Sequence, residues 1–316
     1  MAEILTIGDA MVTLNPVSKG PMRFVESFNR RVGGAELNFA IGCARLGVNT
    51  GWISRLGNDE FGRYIRNFVR GEGIDISQVK LVDRYPTSVN FKEIMEDGSG
   101  RTFYYRANSP TSTLRLDDLA EDVVKQAKVL HVTGVFPAVS EQNFEIVMRA
   151  AELAKKHNVL ISFDPNIRLK LWSKEQAKMK LSQLLPYVDL LLTGEDEAEL
   201  LLGVNEPKRI VGECKRYGIS TIAIKRGEQG SIGYHLGQYA EAPAVQAGKV
   251  VDTVGAGDGF DAGFVYGILN NWPLEKTLKF ANTIGSMVVS VSGDNEGLPY
   301  LEDVLIQMGE GEYIER

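Results

Sequence analysis

A mostly parallel β-sheet with helices on both faces is the fold class that the sequence predicts. Short aliphatic runs recur along the chain, and longer amphipathic stretches separate them. Size agrees: 316 residues, 44% hydrophobic and 24% charged, fit one large α/β domain or two ordinary ones and can bury a substantial core. The runs Ile4 to Ile7, Val129 to Thr133, Val159 to Phe163, Val188 to Leu192 and Thr221 to Ile224 read as strands. Each is bounded by turn formers or charge, as expected where both sheet faces are covered. Between them, Glu141 to Lys156 and Ser173 to Leu185 read as helices. Ser173 with Gln176 three residues on is a capping-box pattern for the second.

Two stretches break the rhythm. Residues 13–32 carry no helical period, and Thr87 to Arg106 reads as a hairpin. Its arms, Ser88 to Glu96 and Arg101 to Arg106, flank the turn Asp97-Gly98-Ser99-Gly100. The expectation is a single domain over residues 1–316, with lid insertions at about 13–32 and 87–106 that pair into a small antiparallel sheet. Such a lid either covers a site at the carboxyl ends of the parallel strands or is a surface hairpin without a role.

Composition narrows the function. A net charge of -6 and the lack of a basic stripe with interleaved aromatics tell against nucleic acid and anionic membranes as partners. No run of about twenty apolar residues occurs, and no basic segment precedes the first strand, so a cytoplasmic protein is expected. Cys43 and Cys214 are far apart and read as reduced, buried thiols. His131, His157 and His235 have no metal-ligand spacing and read as structural or surface residues.

Chemistry concentrates in Asp252-Thr253-Val254-Gly255-Ala256-Gly257-Asp258, a glycine-rich turn running into an apolar helical pattern that lasts to Leu269. The first N–H groups of a helix have no partner within it, and the helix dipole makes that end positive. Gly255 and Gly257 remove side chains that would keep an anion away, so the turn suits phosphate oxygens and the charge that develops on a transferring phosphoryl group. Asp258 is out of place beside an anion site unless it accepts a proton from an attacking hydroxyl; the competing reading is a helix-capping Asp. Gly259, Gly263 and Gly267 follow at intervals of four and form one smooth helix face for close packing. Neither a Gly-x-x-x-x-Gly-Lys-[Ser/Thr] loop nor a Gly-x-Gly-x-x-Gly after the first strand is present, which tells against a Rossmann dehydrogenase.

Asp252 to Gly263 resembles the second signature of the ribokinase-like (PfkB-type) carbohydrate kinases, Asp-Thr-x-Gly-Ala-Gly-Asp-x-Phe-x-Ala-Gly, at every fixed position. Gly33-Gly34-Ala35-Glu36-Leu37-Asn38 is similar to their early sugar-contacting segment. The resemblance implies a ribokinase-like three-layer sandwich with a mostly parallel central sheet and a small β-sheet lid. It also implies ATP and Mg2+ as cofactors and a homo-oligomer. Thr102 to Arg106, Asp164 to Arg168 with Leu171-Trp172, and Gly293 to Pro299 resemble the 2-keto-3-deoxygluconate kinases within that family. Their substrate carries a carboxylate, which Arg106 and Arg168 would grip with forked, charge-assisted hydrogen bonds.

By that resemblance Asp258 is the base, and Gly255, Ala256 and Gly257 form the anion hole. Gly34, Asn38, Asn90, Tyr104, Arg106, Arg168 and Asp294 contact the sugar acid. Asn166, Lys225, Gly227, Gly230 and Asn282 join the glycine turn in meeting ATP, Asn166 near the phosphates and Asn282 near the adenine. Glu197 reaches magnesium through water, but Gly194 replaces the Asn of the family's Asn-x-x-Glu motif, and the acidic run 195–197 equally suits an exposed helix start. Asn90 stands where some relatives carry a substrate-contacting Tyr, which bears on C4-epimer choice. The expected reaction is ATP-dependent phosphorylation of 2-keto-3-deoxygluconate at its 6-hydroxyl. The alternatives are a kinase for a neutral sugar such as fructose or ribose, and an inactive sugar-acid sensor.

Overall fold

The computed structural model describes residues 2–97 and 99–312. The hairpin-turn residue Gly98 lies outside the described residues. The large sheet contains β1 (Ile4–Ile7), β4 (Thr50–Gly57), β5 (Val79–Val82), β8 (Val129–Thr133), β9 (Leu160–Asp164), β10 (Leu190–Gly194), β11 (Thr221–Lys225), β12 (Ser231–His235) and β13 (Gln238–Ala242). Their order is β13-β12-β11-β10-β9-β8-β1-β4-β5. Pairing is parallel from β5 through β11, and β12 and β13 extend that edge as an antiparallel hairpin.

Strand residues alternate between two cores. Leu5, Ile7, Leu130, Val132, Ile222 and Ile224 join one apolar cluster, while Ile4, Val129 and Ala223 join the other. Successive side chains of a strand point to opposite faces, so a sheet covered on both sides carries apolar residues on both faces. Buried polar residues such as Ser54 and His131 are hydrogen-bonded. The helices Glu141–Lys156 and Pro207–Arg216 supply the first core, and Ala35–Arg45, Ala256–Leu269 and Leu274–Val288 the second.

The predicted strands lie within two residues of their expected bounds, and the Glu141–Lys156 helix matches. The helix expected to reach Leu185 ends at Leu181, because Pro186 sits at the start of the following 3-10 turn. Its capping box is present: Gln176 N–H donates to Ser173 Oγ, and Ser173 N–H to Gln176 Oε1. The glycine face of Ala256–Leu269 packs on a neighbouring helix: a Cβ on Gly263 would sit 3.1 Å from the Ala281 Cα. Cys43 and Cys214 are buried, free thiols. Among the described residues no helix is long and apolar enough to cross a membrane.

The second sheet contains β2 (Met11–Pro16), β3 (Phe28–Gly33), β6 (Ser88–Ile94) and β7 (Gly100–Tyr105), in the order β3-β2-β6-β7. It corrects the expectation of an antiparallel lid. The β2–β3 and β6–β7 pairs are antiparallel, but β2 and β6 run parallel, so the sheet is mixed. Each insertion folds back on itself as a local antiparallel pair, and the two pairs then join through strands that enter in the same direction.

Candidate active site

The site forms where the parallel strands end. Asp164, Gly194 and Lys225 are the last residues of β9, β10 and β11, and Asp9 follows β1 closely. Ligands of open α/β sheets bind along this edge. The first turns of the Ala256–Leu269 helix meet it: Lys225 Nζ donates to Asp261 Oδ1 at 3.1 Å and lies 3.2 Å from Asp164 Oδ2. These two carboxylates hold the Lys225 ammonium well above its usual pKa against the opposing effect of burial.

Gly255 is the N-cap of that helix with φ +81°, and a Cβ there would sit 2.0 Å from the Asp294 carbonyl oxygen. Only glycine combines that backbone with that approach. The cap has no side chain, so Asp258 in the first turn does not cap the helix in the N-cap manner. Two amides hold its carboxylate instead: Asn38 Nδ2 donates to Oδ2 at 2.8 Å, and Asn166 Nδ2 to Oδ1 at 3.5 Å. Burial, reinforced by the Asp164 charge, pushes the Asp258 carboxyl up to about 6, while Asn38, Arg168 and Lys225 restrain the rise. A carboxylate so placed is a stronger base than an exposed one.

A cavity of about 580 Å3 opens beside the turn. Lys225, Gly227, Gly230, Ala256, Gly257 and Asn282 line it, together with apolar Val245, Val250, Phe260 and Val289. Of the residues expected at nucleotide, Gly255 and Asn166 are not on its wall: Gly255 packs against Asp294, and Asn166 faces Asp258. Asn282 spends its amide nitrogen on the carbonyls of Ala242 and Pro243, at 3.1 and 3.0 Å, and so holds the rim.

The residues expected at the sugar divide among three surroundings. Gly34 is backbone next to Asp9; a Cβ there would sit 2.5 Å from the Asp9 carbonyl oxygen. Asn90 is buried in the lid, its Nδ2 donating to Thr13 Oγ1 at 3.2 Å and its Oδ1 without a partner. Tyr104, opposite it on β7, is 45% exposed. Arg106 and Arg168 do not share one environment. Arg106 Nη2 donates to Asp9 Oδ2 at 3.2 Å and its buried Nε has no partner, whereas Arg168 is exposed on the loop after β9. Asp294 accepts from Lys92 of the lid at 2.7 Å.

Glu197 accepts from Ile167 N–H at 2.9 Å through Oε1 and from Gly194 N–H at 3.1 Å through Oε2. It thus braces the loop after β9 as well as starting its own helix. Among the described residues no group of three His, Cys, Asp or Glu side chains is arranged to hold a metal ion. A magnesium ion here would therefore be held mostly by water and phosphate oxygens rather than by a protein cage.

Asp9, Lys92 and Asp261 were not singled out from sequence. Asp9 carries a signal, being a carboxylate just past the first parallel strand, and so does Asp261, a buried charge in an apolar helix. His131 is structural, stacked on Phe39 with its Nδ1 3.1 Å from Ser162 Oγ.

A lidded α/β sandwich with a glycine turn beside a buried carboxylate has the architecture of the ribokinase-like kinases. The chain belongs to the pfkB family of carbohydrate kinases, whose family model matches residues 1–301. It is similar to the 2-dehydro-3-deoxygluconokinase of Bacillus subtilis (strain 168), 35% identical over 95% of this chain and 93% of that one. It is also similar to the 5-dehydro-2-deoxygluconokinase of Geobacillus thermodenitrificans (strain NG80-2), 30% identical over 96% of this chain and 91% of the relative. Among solved structures it resembles a putative Ribokinase II from E. coli in complex with ATP and Mg2+. The TM-score is 0.91 at 25% identity, covering 98% of this chain and 99% of that one.

Proposed function

We propose that this kinase transfers the γ-phosphoryl group of ATP to the 6-hydroxyl of 2-keto-3-deoxygluconate (2-dehydro-3-deoxygluconate), giving the 6-phosphate. The observation that carries the reading is Asp258, buried at the glycine turn and held by Asn38 and Asn166 with its carboxyl pushed up to about 6. The named relative at 35% identity supports the substrate, and the ATP–Mg2+ complex of the structural neighbour supports the donor.

In this reading ATP occupies the 580 Å3 cavity with its base among Val245, Val250 and Val289 and its phosphates toward Ala256 and Gly257. Arg168 holds the acid's carboxylate from the loop after β9, and the lid residues Asn90 and Tyr104 meet its hydroxyls. The 6-hydroxyl then faces Asp258, which accepts its proton as the O–P bond forms and ADP leaves. Even at about 6 the carboxyl is far too weak a base to ionise an alcohol beforehand, so the proton moves late. Alignment and the backbone amides of 255–257 lower most of the barrier. Glu197 would hold a magnesium ion through water, and such an ion would supply charge neutralisation at the phosphate oxygens.

The test is ADP release with 2-keto-3-deoxygluconate, its galacto epimer, 5-keto-2-deoxygluconate, gluconate and fructose, with the phosphorylated carbon assigned by NMR. Turnover greatest with 2-keto-3-deoxygluconate, and phosphate on C6, are expected. Preference for fructose would overturn the acid reading, and no ADP release with any of them would leave a sensor.

A further inference from the structure

We propose that Lys92 is a positioning residue, a cation carried by the lid that holds the glycine turn in its anion-binding geometry. The inference rests on the reading of residues 255–257 as the anion hole. Lys92 lies on β6, two residues after Asn90, and the strand alternation turns Ser88, Asn90 and Lys92 to one buried side while Val89 and Phe91 face the other. Its ammonium donates to Asp294 Oδ1 at 2.7 Å and lies 3.6 Å from Asp252 Oδ2, with all three side chains largely buried.

Those two carboxylates belong to the loops that shape the turn. Asp252 Oδ1 accepts from Val254 N–H at 3.1 Å, directly before Gly255, and its Oδ2 from Gly293 N–H at 3.4 Å. The Asp294 carbonyl oxygen is the atom against which Gly255 packs, and the Asp294 carboxylate lies against Gly33 of the lid. One ammonium therefore ties β6 to both loops at the point where the helix begins. It also offsets two negative charges that would otherwise face an incoming phosphate. With Asp252 and Asp294 unpaired, their repulsion would open the very loops that set the turn. Because the tie spans lid and core, the position of the lid and the geometry of the anion hole are linked.

The experiment compares wild type with Lys92→Met, which keeps the stem and removes the charge, with ATP varied at a saturating level of the best acid substrate of the panel. The expected result is a fall in kcat of about tenfold or more with KM for ATP changed by less than about threefold, since the turn acts on the transition state. Added ammonium or methylammonium should restore part of the Lys92→Met kcat and leave wild type unchanged, which a merely structural loss would not show. Lys92→Gln serves in the same way if Lys92→Met does not fold. Wild-type kcat in either folded variant, or a loss that ammonium does not relieve, overturns the role. The functional reading fails separately: there the wild type itself shows no turnover with the acid, or Asp258→Asn keeps it.

Discussion

Replacing Asp258 with asparagine should remove turnover and add stability, and the second effect has a calculable pH dependence. The Asp258 carboxyl is pushed from 3.8 up to about 6, chiefly by burial. A group raised in this way binds its proton more tightly folded than unfolded, so its contribution to stability falls as pH rises from 3.8 to about 6 and stays low above that. The full penalty is about 3 kcal/mol. Asparagine keeps an acceptor for Asn38 and carries no charge to desolvate. Near neutral pH the variant should be more stable by up to about 3 kcal/mol, or about 4 °C in Tm for a chain of this length. In acid, where the native carboxyl is already protonated, the gain should vanish. The assay is thermal unfolding of both proteins across this pH range, alongside ADP release. Loss of a positioned base should lower kcat by about 10^2 to 10^4. Equal melting curves at all pH values would refute the burial argument, and retained turnover would refute the base.

Arg168→Ala should lower kcat/KM for the acid by about 10- to 100-fold, the worth of a charge-assisted hydrogen bond. Because the Arg168 charge lowers the Asp258 carboxyl, the acidic limb of its pH–rate profile should also move to higher pH; an unmoved limb and unchanged KM would exclude it from the site. Gly255→Ala should lower kcat by about 10^2 or more, because its Cβ would meet the Asp294 carbonyl oxygen at 2.0 Å, and steady-state kinetics on the folded variant checks this. Glu36 is buried under the early glycine segment, bonded to Thr133 Oγ1 and Phe136 N–H, with its carboxyl pushed up to about 7. Wild type should therefore lose stability as pH rises from 4.5 to about 7, and Glu36→Gln should flatten that loss in thermal melts.

What could be read from the chain follows from how locally each feature is specified. β1 and β8 match their expected bounds because a strand buried on both faces is a short, mostly aliphatic run, broken here only by single polar residues such as Thr6 and His131. β4 is equally buried yet was not expected, since Ser54 and Arg55 interrupt its pattern. Their polarity is met by distant partners: Ser54 Oγ donates to the Gly8 carbonyl at 2.7 Å, and Arg55 pairs with Asp118 at 2.7 Å. The Ala256–Leu269 helix and its turn were legible because a glycine turn and an apolar helical pattern share one short segment. The parallel join of β2 to β6 was not, since pairing across some seventy residues leaves no local trace. The same holds for the partners of Arg106 and Asp294. A motif says that an arginine or aspartate is present, whereas Asp9 and Lys92 come from other segments and decide where it points.

The concentration of acid groups at a site meant for ATP is the feature that most needs a physical account. Asp164, Asp261, Asp294 and Asp252 each face a lysine ammonium: Lys225 lies between the first two and Lys92 between the others. Asp258 differs in kind, because its direct partners are the neutral amides of Asn38 and Asn166. The ammonium groups beside Asp261 and Asp294 oppose protonation, although burial still pushes both carboxyls above the usual carboxylate range. A carboxylate held by amides can take a proton without leaving an unpaired charge. Hence the partners sort these residues by geometry: the lysine-bound carboxylates fix loops and strand ends, and the amide-bound Asp258 has no cation as a direct hydrogen-bond partner. The two lysines also offset the negative field that would repel a polyphosphate, so the same ion pairs that hold the scaffold make the glycine turn usable by an anion.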